Sequence, residues 1–99
     1  MINQDITVEQ LEKAANMLRA IAHPLRIAIL NKLDEGKSLT VTEIHESLEI
    51  EQSTASHHLG ILRDKGVLVA KREGKNTFYS MKKQKLNTLI GCIKECACD

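Results

Sequence analysis

Three cysteines cluster at the end of the 99-residue chain, where thiolates can act as metal ligands or redox-active groups. They are Cys92, Cys96 and Cys98, and Asp99 follows them. Cys92 and Cys96 would share one helix face about 6 Å apart at Cβ, and Cys98 would join them only if the last turn unwinds. Three thiolates suit arsenite or antimonite, and an added Asp99 or water suits zinc or cadmium. Oxidation to a disulfide is a rival chemistry, and a solvated tail with incidental cysteines is the third alternative.

A second candidate site is the polar face of a helix predicted to begin near Gln52 and to end near Gly66. Short or amide-bearing side chains fill this face: Gln52, Ser53, Thr54, Ser56 and His57. Ser and Thr are mediocre helix formers, so helix propensity does not explain them. A helix in the DNA major groove needs such short donors and acceptors to reach base edges. The alternative is that these residues cap the helix and fill a small gap.

Basic residues concentrate in the segment that contains this helix and a predicted hairpin. Residues 52–85 hold eight Lys or Arg against two Asp or Glu, whereas residues 1–51 hold five against nine. Lys71, Arg72 and Lys75 lie on the hairpin, where they would contact DNA phosphates and supply affinity rather than base information. A basic face that guards the hairpin edge from aggregation is a compatible alternative.

The remaining histidines indicate structure rather than chemistry. His58 lies on the apolar face of its helix, so we expect a partly buried, hydrogen-bonded side chain. His23 and His45 have no ligand at metal-binding spacing and are expected at a cap or on the surface. No Asp/Glu pair, Ser-His-Asp set or glycine-rich phosphate loop is visible, and cysteines near a fraying helix end are poor nucleophile candidates. An enzyme is therefore not expected.

Hydrophobic periodicity predicts the helices that position these residues. A first amphipathic helix follows the Thr7 cap, and a second, core helix begins at Pro24 and ends at Gly36. A capping box at Thr40 opens a third, short helix that ends near Leu48. The helix beginning near Gln52 is the fourth, and a last helix spans residues 82–96. The apolar stripes of the two terminal helices are Leu11, Ala14, Ala15, Leu18, Ile21 and Ala22 in the first and Leu86, Leu89, Ile90 and Ile93 in the last.

Between the fourth and last helices the period changes to two, which predicts strands over 67–72 and 77–81 around a turn. Two short helices joined by a three-residue turn and followed by a hairpin match a winged helix-turn-helix. The predicted fold is therefore mainly α with a small β-hairpin, in the order α-α-α-α-β-β-α.

Size and composition indicate one small globular domain over residues 1–99. The chain is 42% hydrophobic and 27% charged, which argues against a disordered chain. Its aromatic side chains are Phe78 and Tyr79, too few for a platform that stacks single-stranded nucleic acid. Because no apolar run reaches the length of a membrane span and the N-terminus is unlike a signal peptide, we expect a cytoplasmic protein without membrane contact.

Two stretches resemble the ArsR/SmtB family of bacterial metal-responsive repressors, which are winged-helix dimers. They are AIAHPLRIAILNKL and the more specific LEIEQSTASHHLGILRDKGVLVAKREGKNTFYSM, and the likeness extends from about Leu11 to Cys96. The resemblance implies a homodimeric repressor bound to a double-stranded DNA operator. It also implies a dimer interface formed by the first and last helices, which fits their apolar stripes.

The sensor sites of that family are not matched. One type places Cys-x-Cys at the start of the third helix, where this chain has Thr40 and Thr42. Another is a zinc site on the last helix, and the matching positions are Lys83, Lys85, Cys96 and Asp99. Ammonium groups do not coordinate zinc at neutral pH. A third type needs a cysteine on the second helix, which has none, so the three cysteines fall outside all these patterns.

Together these observations favour a sequence-specific DNA-binding regulator, a homodimeric repressor released from its operator by a metal, a metalloid or a thiol-reactive signal. Two alternatives stay open. One is a winged-helix module that binds another protein, although no spare apolar stripe remains for that partner. The other is a DNA-binding regulator that senses no metal.

Overall fold

The computed structural model describes residues 6–83 and 86–98, so Lys85 and Asp99 lie outside the described residues. Its helices are α1 (Val8–Ile21), α2 (Pro24–Lys32), α3 (Val41–Leu48), α4 (Gln52–Asp64) and α5 (Leu86–Ala97). Its strands are β1 (Leu39–Thr40), β2 (Leu68–Glu73) and β3 (Asn76–Met81). A short 3-10 turn, Asp34–Gly36, links α2 to β1. Within these ranges no helix has both the length and the apolar character needed to cross a membrane.

The predicted starts of the first three helices are confirmed by their caps. Thr7 and Thr40 each form a capping box, in which the hydroxyl oxygen accepts from the backbone amide three residues later. Pro24 is the first residue of α2, and Nδ1 of His23 accepts a hydrogen bond from the Leu25 amide at 3.1 Å. His23 is therefore a cap, which is one of the two roles expected for it.

Two predicted helix boundaries are wrong, the end of the second helix and the start of the last. The second helix stops at Lys32 rather than Gly36, because Glu35 (φ 62°) and Gly36 (φ 74°) adopt left-handed conformations that leave the helix. The last helix begins at Leu86 rather than residue 82, because the Lys82 amide donates to the Val67 carbonyl at 3.0 Å and so extends the sheet contact. Lys82 and Lys83 form a bend instead.

The sheet has three antiparallel strands in the order β1-β3-β2, one more than the sequence predicts. The added strand is short: Leu39 pairs with Tyr79, and Thr40 pairs with Phe78. The hairpin of β2 and β3 runs from the pair Leu68–Met81 to the pair Glu73–Asn76. We call this hairpin, residues 68–81, the wing.

One hydrophobic core joins the helices to the root of the wing. Its fully or nearly buried members come from all five helices, the two long strands and residues next to them: Ile21, Ile29, Leu30, Leu33, Ile44, Leu59, Leu62, Val67, Leu68, Met81 and Ile90. Only Leu68 of β2 is buried, and the rest of that strand is exposed. The core therefore fixes α4 and the base of the wing, while the tip of the wing projects into solvent.

Candidate nucleic-acid interface

Burial of one face of α4 turns its polar face outward. Ala55, Leu59 and Leu62 are completely buried, so hydrophobic burial sets the rotation of the helix. The side chains predicted to contact bases lie in the first two turns: Gln52, Ser53, Ser56 and His57 are exposed, and Thr54 is half-buried. The structure therefore brings these residues together on one surface, with Thr54 at its edge. Because α4 is the second helix of the predicted helix-turn-helix, we call it the recognition helix.

The turn before the recognition helix is held by backbone contacts that the sequence does not reveal. Glu49 ends α3 in a left-handed conformation (φ 55°), which non-glycine residues seldom adopt. The Ile50 amide donates to the His45 carbonyl at 3.1 Å, and Nδ1 of His45 lies 3.1 Å from the Ile50 carbonyl. His45 is thus a half-buried residue that stabilises the turn, and this contact places α4 relative to α3.

The wing presents its basic side chains on two faces. Lys71 and Arg72 are consecutive strand residues, so they project to opposite sides of the sheet. Arg72 shares its face with Leu68, whose side chain lies in the core beside α4 residues, whereas Lys71 points away from that layer. Gly74, with φ 63°, and Lys75 form the two-residue turn of the hairpin. The predicted cluster exists at the tip, but only Arg72 shares the face that packs on the helices.

The cationic side chains of the wing make only weak ion pairs and hydrogen bonds within the protein. Lys71 Nζ lies 3.8 Å from Glu73 Oε2, and both side chains are exposed. Arg72 Nε donates a long 3.4 Å hydrogen bond to the Gly74 carbonyl. An exposed ion pair contributes only about 0–1 kcal/mol, so a phosphate can replace these partners. The wing is therefore electrostatically available to a polyanion.

The inner face of the recognition helix carries a contact that the sequence only half predicts. His58 is buried, as expected, and its Nδ1 accepts a 3.1 Å hydrogen bond from Arg26 Nε of α2. Its ring centroid lies 4.6 Å from that of His23 and 5.3 Å from that of His57. Arg26 lies 32 residues from His58 in sequence, and no local pattern links the two.

Comparison with known proteins agrees with this architecture. A family model described as bacterial regulatory protein, arsR family, matches residues 23–69. The transcriptional repressor PagR of Bacillus anthracis is 38% identical over 89 residues, which cover 90% of this chain and 89% of PagR.

This chain belongs to the arsR family of bacterial regulatory proteins. It is a DNA-binding transcriptional regulator with a winged helix-turn-helix fold.

Solved structures of other members have the same fold as this ArsR-family regulator. HlyU of Vibrio cholerae matches with a TM-score of 0.83 at 29% identity, over 94% of this chain and 100% of that one. The crystal structure of PagR matches with a TM-score of 0.81, over 88% and 99% of the two chains. A homodimeric winged helix-turn-helix DNA-binding domain of Mycobacterium bovis, Mb0332, matches with a TM-score of 0.79 at 28% identity, over 98% and 90%.

The cysteines of this ArsR-family regulator are all exposed on or beside α5. The helix includes Cys92 and Cys96, and the Cys98 amide donates to the Lys94 carbonyl at 3.0 Å, so the last turn is wound. In this conformation Cys98 is rotated away from the other two thiols. Among residues 6–83 and 86–98, no three His, Cys, Asp or Glu side chains are placed together to hold a metal ion.

The terminal helices of the regulator carry apolar side chains that the core of a single chain does not cover. Val8, Leu11 and Leu18 of α1 are 65%, 38% and 50% exposed and follow a helical spacing of three and seven residues. On α5, Leu89 and Ile93 are half-buried against the core. The stripes predicted from the sequence are therefore only partly used within one chain.

Proposed function

We propose that this ArsR-family regulator is a homodimeric repressor that binds a palindromic operator through two recognition helices and two wings. The observation that carries the proposal is the juxtaposition of an exposed face of short polar side chains on α4 with a weakly paired basic wing. The named repressor PagR and the homodimeric domain Mb0332 support repression and dimerisation respectively.

The two surfaces would have different roles in DNA binding, because their side chains differ in chemistry. Ser56 and His57 would make hydrogen bonds to base edges in the major groove, and Gln52 suits adenine. Arg72, Lys71 and Lys75 would contact phosphates, which supplies affinity that falls with salt. In a two-fold dimer the two helices enter successive major grooves, so half-sites should lie about 34 Å, one helical turn, apart.

A gel shift with the DNA upstream of the regulator's own gene tests the proposal. We expect a discrete complex that resists a large excess of random DNA, with the stoichiometry of one dimer per palindrome. Footprinting should protect two half-sites on one face of the duplex. Binding of operator and random DNA with equal affinity would contradict operator recognition and favour the protein-binding module instead.

A second candidate function is release of DNA by a soft metal or metalloid ion at the cysteines of α5. The observation that favours it is the exposure of Cys92 and Cys96, one helical turn apart, on a helix whose apolar stripe is incompletely covered. Thiolates bind arsenite, antimonite, cadmium and zinc. The ion would lower DNA affinity only if it binds the DNA-free conformation more tightly than the bound one.

Helix geometry favours an ion over a disulfide within one chain. Cβ atoms one turn apart on a helix are about 5–6 Å from each other, whereas a disulfide needs about 3.5–4.5 Å. A bridging ion fits the longer separation, with Cys98 as a third ligand after the last turn opens. Oxidation by peroxide, which would join two thiols and yield two waters, requires distortion of the helix first.

Titration of the protein–operator complex with arsenite, cadmium, zinc and peroxide tests this candidate. We expect arsenite or cadmium to release DNA from the wild type but not from a variant with all three cysteines replaced by serine. Cys98→Ser should respond more weakly than wild type if the third thiol takes part, and should match it if two thiols suffice. An unchanged response in the triple variant would exclude the cysteines as the sensor and leave DNA binding untouched.

A further inference from the structure

Among the described residues, His58 is the one buried residue with a polar side chain, at 7% exposed. It lies on the recognition helix, immediately after the proposed base-contacting residue His57. Buried polar groups are hydrogen-bonded in folded proteins, and removal of a partner leaves an uncompensated group in the core. What bonds to His58 therefore influences where the recognition helix lies.

Arg26 joins the recognition helix to the preceding helices. Its Nε donates to Nδ1 of His58 at 3.1 Å, and its Nη1 donates to the Ala20 carbonyl of α1 at 2.9 Å. The guanidinium thus bridges α1 and α4 from α2. Guanidinium is always protonated, so Nδ1 must be the acceptor and His58 must be neutral, with its proton on Nε2.

Protonation of His58 would remove this acceptor. Nδ1 would then carry a hydrogen directed at the donor Nε of Arg26, and two positive groups would face each other in a partly buried position. The groups whose charge acts on His58, within the described part of the chain, are His23 and Arg26 on the α2 side and His57 on its own helix. All three are basic residues, and the charges of all three act to lower the pKa of His58.

We propose that Arg26 and His58 form a positioning pair that holds the recognition helix in its DNA-binding orientation, and that acid weakens operator binding by breaking this pair. The inference rests on the proposed operator-binding function and adds a regulatory input to the same surface. It assigns no direct DNA contact to either residue, since both act through the placement of α4.

The direction of the pH effect follows from the environment of His58. Burial lowers the pKa of His58 below its ordinary value of 6.5, and the nearby His23, Arg26 and His57 lower it further. Folding therefore favours the neutral ring, so its stabilising contribution is fully present above the unfolded-state value and is lost as pH falls through the lowered pKa. Operator affinity should be steady above neutrality and should fall in mild acid.

The pH effect of His58 must be separated from pH effects that arise elsewhere in the protein or the DNA. The test therefore compares each pH profile with that of a variant in which only His58 is changed, so that the other contributions cancel.

The diagnostic variant is His58→Asn, in which Oδ1 can accept from Arg26 but cannot titrate in this range. Operator affinity is measured by fluorescence anisotropy at fixed salt between about pH 7.5 and about pH 5.5, with circular dichroism at each pH to confirm folding. We expect His58→Asn to bind like wild type at the upper pH. Wild type should then lose about tenfold more affinity than the variant on acidification, or about 1.4 kcal/mol of binding free energy.

A second variant keeps the test decisive if His58→Asn folds poorly. Arg26→Gln retains an amide donor but removes the positive charge, so it should raise the pKa of His58 and move the acid loss of binding to higher pH. Superimposable pH profiles for wild type and either folded variant would overturn the positioning pair. Failure of wild type to discriminate operator from random DNA even at about pH 7.5 would instead refute the proposed function, so the two failures are distinct.

Discussion

Thr40 lies directly opposite Phe78 in the antiparallel pair of β1 and β3, and the same residue caps α3. Its hydroxyl oxygen accepts from the Glu43 amide at 3.2 Å, while a Glu43 carboxylate oxygen accepts from the Thr40 amide at 2.9 Å. One residue therefore joins the start of the helix-turn-helix to the middle strand of the sheet. This junction connects the wing to α3, the helix that precedes the recognition helix.

Replacement of Thr40 should destabilise the fold through the lost cap. We expect Thr40→Ala to lower the free energy of unfolding by about 1 kcal/mol, within the range of roughly 0.5–2 kcal/mol for such caps. Thr40→Ser keeps the hydroxyl and should recover most of that loss. Urea denaturation of the three proteins measures the difference. Equal destabilisation by Ser and Ala would show that the β-branched side chain in the strand, and not the cap, matters here.

The sequence predicts those parts of the fold whose causes are local. The capping boxes at Thr7 and Thr40 and the first-turn Pro24 act within four residues, so their patterns are visible in the chain. The outward face of α4 follows from helical period, and the exposed positions of Ser56 and His57 agree with it. Such features do not depend on distant partners.

The sequence does not predict features that depend on contacts between distant residues. Leu39 and Thr40 form a strand only because Tyr79 and Phe78 lie beside them, and two residues are too few for an alternating pattern. The sequence pattern at Thr40 predicts a helix cap and gives no indication that this residue also pairs in the sheet. Likewise His58 is predictable as a buried residue, but its partner Arg26 comes from another helix.

The two faces of the wing should differ in their contribution to DNA binding. Because Arg72 projects on the face that packs on the helical layer, Arg72→Ala should weaken binding to operator and random DNA alike and lower the salt slope by about 1. Lys71→Ala removes the same charge from the opposite face and should have a smaller effect. Anisotropy titrations over a series of salt concentrations measure both slopes. Equal slopes for the two variants would show that the wing contacts phosphates with both faces.

Dimerisation should depend on the exposed apolar stripe of α1. Leu18 is half exposed in the single chain, so Leu18→Glu would place a carboxylate in the proposed interface. We expect this variant to sediment as a monomer at micromolar concentration and to lose most operator affinity. Lys13→Glu introduces the same group on another side of α1 and should remain dimeric. A dimeric Leu18→Glu protein would contradict the proposed interface, and a monomer that still binds operator tightly would contradict the need for a dimer.

The most direct measurement of the central claim is the ratio of operator affinity to random-DNA affinity in matched variants. If Ser56 and His57 contact bases, Ser56→Ala and His57→Ala should each reduce this ratio by roughly 5- to 150-fold. This change corresponds to a loss of about 1–3 kcal/mol in specific binding free energy. Arg72→Ala, a phosphate-contact variant, should lower both affinities and leave their ratio nearly unchanged. All three proteins must be folded dimers for the comparison. An equal loss of specific and random binding in every variant would contradict the assignment of α4 as the recognition helix.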